Sequence, residues 1–158
     1  MPDNKKIHFR FAKETDVDLF YKWANDEVVR QNSFNPSKLI FEDHVKWFKQ
    51  KLESGTCFFY LFLDTNNTPI GQVRIDSGNS ETVIGISVDE HFRGKSYGKQ
   101  MLIQATDDFL IKNSSIVITA YIKVENIASR ALFKKAGFAN EESVTEQGYA
   151  SYKLSKKI

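Results

Sequence analysis

Val83-Ile84-Gly85-Ile86-Ser87-Val88, then Asp89-Glu90-His91-Phe92, then Arg93-Gly94-Lys95-Ser96-Tyr97-Gly98 is the stretch whose reading decides the fold. An apolar, strand-like run passes through a short polar hinge into a glycine-containing basic turn. Beyond the turn, Tyr97, Met101, Leu102, Ala105, Phe109 and Leu110 recur at helical spacing. Strand, turn and helix in this order aim the free N–H groups of the first helical turn at one point. Those amides and the helix dipole make a site for an anion such as a pyrophosphate.

After that helix, Ile116 to Tyr121 reads as a further strand. Val83 to Tyr121 is therefore a β-α-β unit, and its two strands are expected to be parallel neighbours. Before the unit, Thr56 to Leu63 is almost wholly apolar or aromatic, as for a strand buried on both faces. Ile70 to Ile75 returns as a strand, so these strands and the organising one form an antiparallel meander joined by short turns. Ile7 to Ala12 alternates as a first strand, and Thr15-Asp16-Val17-Asp18 supplies a helix N-cap with an acid three places on. Leu19, Phe20 and Trp23 form an apolar helical stripe, Asn25 to Leu39 breaks the pattern, and Phe41 to Leu52 is an amphipathic helix. These segments are placed to act as a lid over a substrate. Downstream, Asn126 caps a helix stopped by Gly137, and two strands flank a polar stretch from Glu141 to Gly148. The fold class is α+β with a mixed sheet, in a single domain over residues 1–158.

Composition narrows the function classes. The chain has 158 residues and a formal net charge of +2, too little to make nucleic acid or a membrane surface the main partner. Its single cysteine, Cys57, lies among aromatic residues as a small core side chain and excludes a disulfide or multi-cysteine metal site. Met1 to Lys6 is followed by no apolar run, so no signal peptide is expected, and no window is long enough to span a bilayer. A cytoplasmic protein without a metal is the expectation.

A nucleotide-triphosphate loop is one test of Gly94-Lys95-Ser96. It would need a glycine where the chain has Asp89, a carboxylate that repels phosphates. No G-x-G-x-x-G opens a parallel sheet either. The plainer alternative is that Gly94 and Gly98 only tighten a strand-to-helix connection. Against it, Arg93, Lys95 and Lys99 crowd a helix N-terminus, where the dipole disfavours cations. A bound anion explains that placement, whereas local helix stability does not.

Val88 to Gly98 resembles motif A of the GNAT acyl-CoA acyltransferase superfamily, and Asn126-Ile127-Ala128-Ser129-Arg130-Ala131-Leu132-Phe133-Lys134-Lys135-Ala136-Gly137-Phe138 resembles its second signature. The separation of the two and the element order from Ile7 to Leu154 match as well. The resemblance implies a mostly antiparallel sheet with one central parallel pair splayed around acetyl-CoA, the co-substrate of an N-acetyltransferase. Arg93, Gly94, Lys95, Ser96, Tyr97, Gly98 and Lys99 would hold the pyrophosphate. Ile86 and Val88 would bond the pantetheine arm through their backbone, Asn126 would contact it from the other side, and Ser129 and Phe133 would face the thiol. The amide near Ser87 would polarise the thioester carbonyl. Two departures stand out. Ser96 replaces a motif glycine, which places its backbone in an ordinary helical region. Phe133 replaces a tyrosine that protonates the leaving thiolate in many relatives, so Ser129, Tyr121 or water supplies the proton, or no dedicated acid exists.

An attacking amine must be neutral. Glu81 is the family-like base, with a solvated turn residue as its plainer reading. His44 is a second candidate base, otherwise a surface or half-buried residue, and His8 and His91 read as surface residues. The segment from Trp23 to Asn35, with His44, Trp47 and the Gly71-Gln72-Val73-Arg74 strand, resembles the branch acetylating nucleotide-linked amino sugars in bacteria. There Arg30 and Arg74 would hold phosphates while Phe34 or Trp47 stacks. Trp23 and Trp47 are otherwise core residues and the arginines solvated. A protein N-terminus or another small amine is the alternative acceptor, and a non-catalytic acyl-CoA sensor the alternative class. Monomer and homodimer both fit.

Overall fold

A computed structural model of the chain describes residues 6–158, so most of the N-terminal stretch Met1–Lys6 lies outside the described residues. The elements run β1 (Ile7–Phe11), a 3-10 turn (Glu14–Asp16), α1 (Val17–Ala24), α2 (Glu27–Asn32), α3 (Phe41–Glu53), β2 (Cys57–Asp64), β3 (Pro69–Asp76) and β4 (Thr82–Val88). A second 3-10 turn (Glu90–Phe92) leads to α4 (Tyr97–Lys112), β5 (Ile118–Lys123), α5 (Ile127–Lys135), β6 (Ala139–Glu146) and β7 (Tyr149–Lys156). The strands form one sheet of 7 in the order β1-β2-β3-β4-β5-β7-β6, antiparallel except for the β4–β5 pair. The α+β fold with a single central parallel pair is the one the resemblance implies.

Two apolar layers hold the sheet. On one face α4 and α5 pack Met101, Leu102, Ala105, Phe109 and Phe133 against Tyr60, Phe62, Val73, Ile75, Ile84, Ile118 and Leu154. On the other, Phe20 and Trp23 of α1 and Phe48 of α3 cover Cys57, Phe59 and Leu61 of β2. Because alternate β2 side chains enter both layers, the strand carries no polar face, which explains its continuous apolar run. Each large side chain buried this way contributes about 1.5–3 kcal/mol.

Four local expectations are corrected. Thr15 does not cap α1. Asp16 instead accepts from the Lys13 N–H at 2.7 Å and pairs with Arg10 at 2.8 Å. The broken pattern after Asn25 contains α2, a helix too short to show periodicity, capped by Asp26 accepting from Val29 N at 3.1 Å. The strand after α4 begins at Ile118 rather than Ile116. The polar stretch from Glu141 is itself β6, paired along β7 at the margin of the sheet. Exposed on its outer side, β6 has no buried face to demand alternation, and its glutamates guard an open edge.

The splay that makes the site follows from strand loyalties. β4 pairs with β5 only at Thr82–Ile118 and Val83–Thr119. Beyond that, β4 stays with β3 as far as Val88, whereas β5 follows β7 as far as Lys123, and the two part as the sheet twists.

Candidate active site

The turn is built from the carboxyl end of β4. Asp89 is buried, and its Oδ1 accepts from His91 N at 2.9 Å while Oδ2 accepts from Trp23 Nε1 at 2.9 Å. Burial opposes its ionisation, but those hydrogen bonds and the nearby Lys22 ammonium outweigh it, so its pKa lies below the usual carboxylate value. Gly94 (φ 72) and Ser96 (φ 66) both sit in the left-handed region, on either side of Lys95. Left-handed residues before a helix N-terminus make an anion-binding concavity of backbone N–H groups. Ser96 therefore corrects the expectation of ordinary helical backbone, because this turn keeps the glycine-like conformation without glycine. Its hydroxyl makes no capping bond. Ser96→Gly is accordingly expected to relieve about 1 kcal/mol of left-handed strain and raise the thermal midpoint by roughly 2–4 °C, read by scanning calorimetry.

Arg93 is the second correction. Its Nη2 pairs with Asp26 at 2.7 Å and its Nε donates to the Val88 carbonyl at 3.1 Å. Two of its donors thus join α2 and the end of β4 to the turn, and the Asp26 carboxylate already offsets the guanidinium charge that an anion would meet. Lys95 and Lys99 are exposed beside the N-terminus of α4, with Lys95 Nζ 5.9 Å from the Phe92 ring centroid.

Between the parted strands lies a cleft of about 660 Å³ whose lining includes Ile86, Val88, Asn126, Ser129 and Phe133. The Asp89 N–H bonds the Ile70 carbonyl at 2.8 Å. That bond sets the alternation of the ladder, so Ser87 and Gly85 turn their backbone groups to Gln72 and Arg74 of β3. Ile84, Ile86 and Val88 turn theirs to the cleft. The Ser87 expectation is corrected, because its amide belongs to the β3–β4 ladder and its Oγ accepts from Gln72 Nε2 at 3.2 Å. An unpaired strand edge running into a concavity of amides fits a linear amide-bearing chain with a pyrophosphate at one end, and CoA has that form. Asn126 spends its Oδ1 capping α5 at Ser129 N, 3.3 Å away, which leaves its amide nitrogen for the cleft. Phe133 is buried edge-on against Phe138, with ring centroids 5.0 Å apart.

The face under α1–α3 carries the remaining candidates. Tyr121, in the cleft wall, donates to Glu81 Oε1 at 2.5 Å, and Lys153 lies 3.3 Å from Oε2. The Tyr121 hydroxyl, followed by Lys153, holds the Glu81 pKa below its ordinary value. Burial, then Glu81, pushes the Tyr121 pKa up, and the hydroxyl keeps its proton. His44 is 5 % exposed and stacked on Phe48, which corrects the surface reading, and its Nε2 has no partner among the described residues. Burial, then Arg30, lowers its pKa. Arg30 is engaged within its own loop. Its guanidinium donates to the carbonyls of Ala24, Asn35 and Ser37 and to Ser33 Oγ, at 2.7–3.3 Å. Phe34 packs on Tyr149 at 6.2 Å, beside Lys123, whose ammonium lies 3.8 Å from the Tyr149 ring centroid and 3.3 Å from the Gln31 carbonyl. Trp23 is core, whereas Trp47 is half-buried under the Arg74 guanidinium, 5.3 Å from its ring centroid.

Sequence reasoning missed Asp26 and Lys123, which tie α2 to the turn and to β5. No local pattern marks them, since each bond joins residues more than sixty positions apart. Among the described residues no helix is long and apolar enough to cross a membrane, and no cluster of three or more acidic, His or Cys side chains could hold a metal.

Residues 6–139 match the family model described as the acetyltransferase (GNAT) domain. An uncharacterized N-acetyltransferase of Bacillus subtilis is 26% identical over 141 residues, covering 88% of this chain and 89% of that protein. Among solved structures, spermidine N-acetyltransferase from Vibrio cholerae in complex with CoA and spermine superposes with a TM-score of 0.83 at 17% identity. That match covers 95% of this chain and 94% of the other. An aminoglycoside acetyltransferase in complex with coenzyme A gives 0.78 at 17% identity, covering 96% and 95%.

Proposed function

The chain belongs to the GNAT acetyltransferase family and is an acetyl-CoA-dependent N-acetyltransferase, and from that premise we propose that it acetylates a primary amine of a small molecule, an amino sugar or nucleotide-linked amino sugar being the finer reading. The observation that carries the small-molecule reading is the two-sided cleft. Its α4–α5 side offers the amide concavity and the free β4 edge, and its α1–α3 side offers Tyr121, with Glu81 hydrogen-bonded behind that tyrosine and Arg74 next to Gly85 of the wall. Arg74 laid on Trp47 supports an acceptor that carries a phosphate.

Acetyl-CoA, when bound, supplies the acetyl group as a thioester. The residues then divide the work. Amides of residues 94–99 and the α4 dipole receive the pyrophosphate charge, with Lys95 and Lys99 beside them. The Ile86 and Val88 backbone aligns the chain along β4. Glu81, held ionised, is a poor proton acceptor at neutral pH. It attracts and orients the amine as an ammonium, and water takes up the proton. Tyr121 keeps its hydroxyl proton in the cleft wall and, with Ser129, remains a source for the departing thiolate in place of Phe133. The charged β6 edge supports a monomer over an edge-paired dimer, and a cytoplasmic site suits the lone free thiol of Cys57.

The test is thiol release. Incubation with acetyl-CoA and a panel of primary amines is expected to give steady release of free CoA thiol with at least one of them. Measurable CoA binding without release for any amine would return the chain to the sensor reading.

A further inference from the structure

Arg74 projects from β3 on the α1–α3 face, on the row where its Cα opposes Gly85 in the wall of the cleft. A Cβ at Gly85 would lie 3.8 Å from Arg74 Nη2, so the guanidinium sits over the bare backbone of β4. It makes no hydrogen bond or ion pair to another described residue, and its one specific contact is the Trp47 ring. Arg30 is close enough that Arg74 lowers its pKa, second to burial. The acid nearest in the same row of β3, Asp76, is taken by Lys51 at 2.6 Å. Burial opposes the ionisation of Asp76, the Lys51 hydrogen bond favours it and Arg74 adds to that through space. The two guanidiniums thus share a partly buried site in which the carboxylate that feels Arg74 is already bound to Lys51. Such an arrangement is unfavourable unless a third group supplies the negative charge.

The surrounding polar atoms are also incomplete. His44 Nε2 and Gln72 Oε1 are buried without a partner among the described residues. His44 lies tilted against Trp47 with ring centroids 5.6 Å apart, and Gln72 lies two residues from Arg74 on the same face of β3. Buried polar atoms are normally paired, so unpaired ones around a free arginine point to a ligand. Beside β5 the carboxylates Glu81, Glu146 and Glu142 all act on Tyr121 of the cleft wall, Glu81 being held ionised by that hydroxyl and by Lys153, 3.3 Å from its Oε2. The site is therefore polarised, with a carboxylate beside β5 and an unpaired guanidinium over β4.

We propose that the acceptor is a primary amine that also bears an oxyanion, a phosphate or a carboxylate, which Arg74 receives while the amine faces Glu81 and Tyr121. This rests on the acetyltransferase reading and narrows it. Arg30, spent on backbone carbonyls, adds field and no contact. A polycation such as spermidine meets the wrong sign at Arg74.

The test compares paired acceptors that differ only in the anion: an amino sugar with its phosphate ester, an amino acid with its amide, and spermidine as the polycation. The anionic member of at least one pair is expected to have the higher kcat/KM, and the pair with the larger ratio tells phosphate from carboxylate. Arg74→Gln is expected to reduce that ratio roughly 10- to 100-fold, mainly through KM. Arg74→Lys, which keeps charge but loses the planar fork, should fall between. Arg74→Glu should shift preference toward the neutral or cationic amine. A ratio that Arg74→Gln leaves unmoved, or spermidine as the best acceptor, overturns this inference while the acetyltransferase reading stands. Refusal of every amine by a chain that still binds acetyl-CoA overturns both.

Discussion

Gly98→Glu is expected to abolish coenzyme A binding, weakening it by roughly 100-fold or more in titration calorimetry. A carboxylate in the first turn of α4 would repel the pyrophosphate proposed to bind there, at about 1–4 kcal/mol per close charge pair, and each 1.4 kcal/mol is about tenfold. Sterics act in the same direction. A Cβ at Gly98 would lie 3.0 Å from Leu132 Cδ2, so the glycine lets α4 and α5 approach beside the cleft. Gly98→Ala is the control. It presses on a flexible leucine end, adds no charge, and should cost modest stability while CoA still binds. Retained affinity in Gly98→Glu would leave the turn as a strand-to-helix connection alone.

Gly71→Ala is expected to be the most destabilising small substitution in the sheet, by about 3 kcal/mol, a fall of roughly 6–12 °C in thermal midpoint. The added Cβ would collide with the Ser87 carbonyl oxygen and lie 2.8 Å from Met101 Cε and 3.1 Å from Val88 Cα. Met101 is fully buried, and the other two neighbours are backbone, so little of this strain relaxes by side-chain motion. Relief requires β3 and β4 to part where β4 enters the turn, so CoA affinity should fall with stability. Circular dichroism melts with and without CoA measure both. An unchanged midpoint would mean that the strands separate there at little cost.

Much of the fold was legible because its patterns are local. The meander, the parallel pair and the long helix follow from apolar periodicity and turn residues, and the cleft lies where the two motifs meet. The weakly patterned parts were not legible. α2 is 6 residues long, shorter than the span over which periodicity shows, and β6 is a polar edge strand with no buried face. Ser96 was misjudged because its conformation is imposed by the connection of β4 to α4, against the residue's own preference.

The sequence by itself determined the meander, the β-α-β unit and the family, since each rests on neighbours in the chain. The tertiary structure decided which charges are free. Arg93 and Arg30 look as available as Arg74 in the sequence. Folding brings Asp26 to Arg93 across 67 positions and wraps the loop carbonyls around Arg30, while it leaves Arg74 on Trp47. Likewise Glu81 meets Tyr121 across 40 positions, and Trp23 meets Asp89 across 66. Whether a charged side chain binds a ligand or holds the fold depends on what docks against it, and residue type and spacing do not encode that.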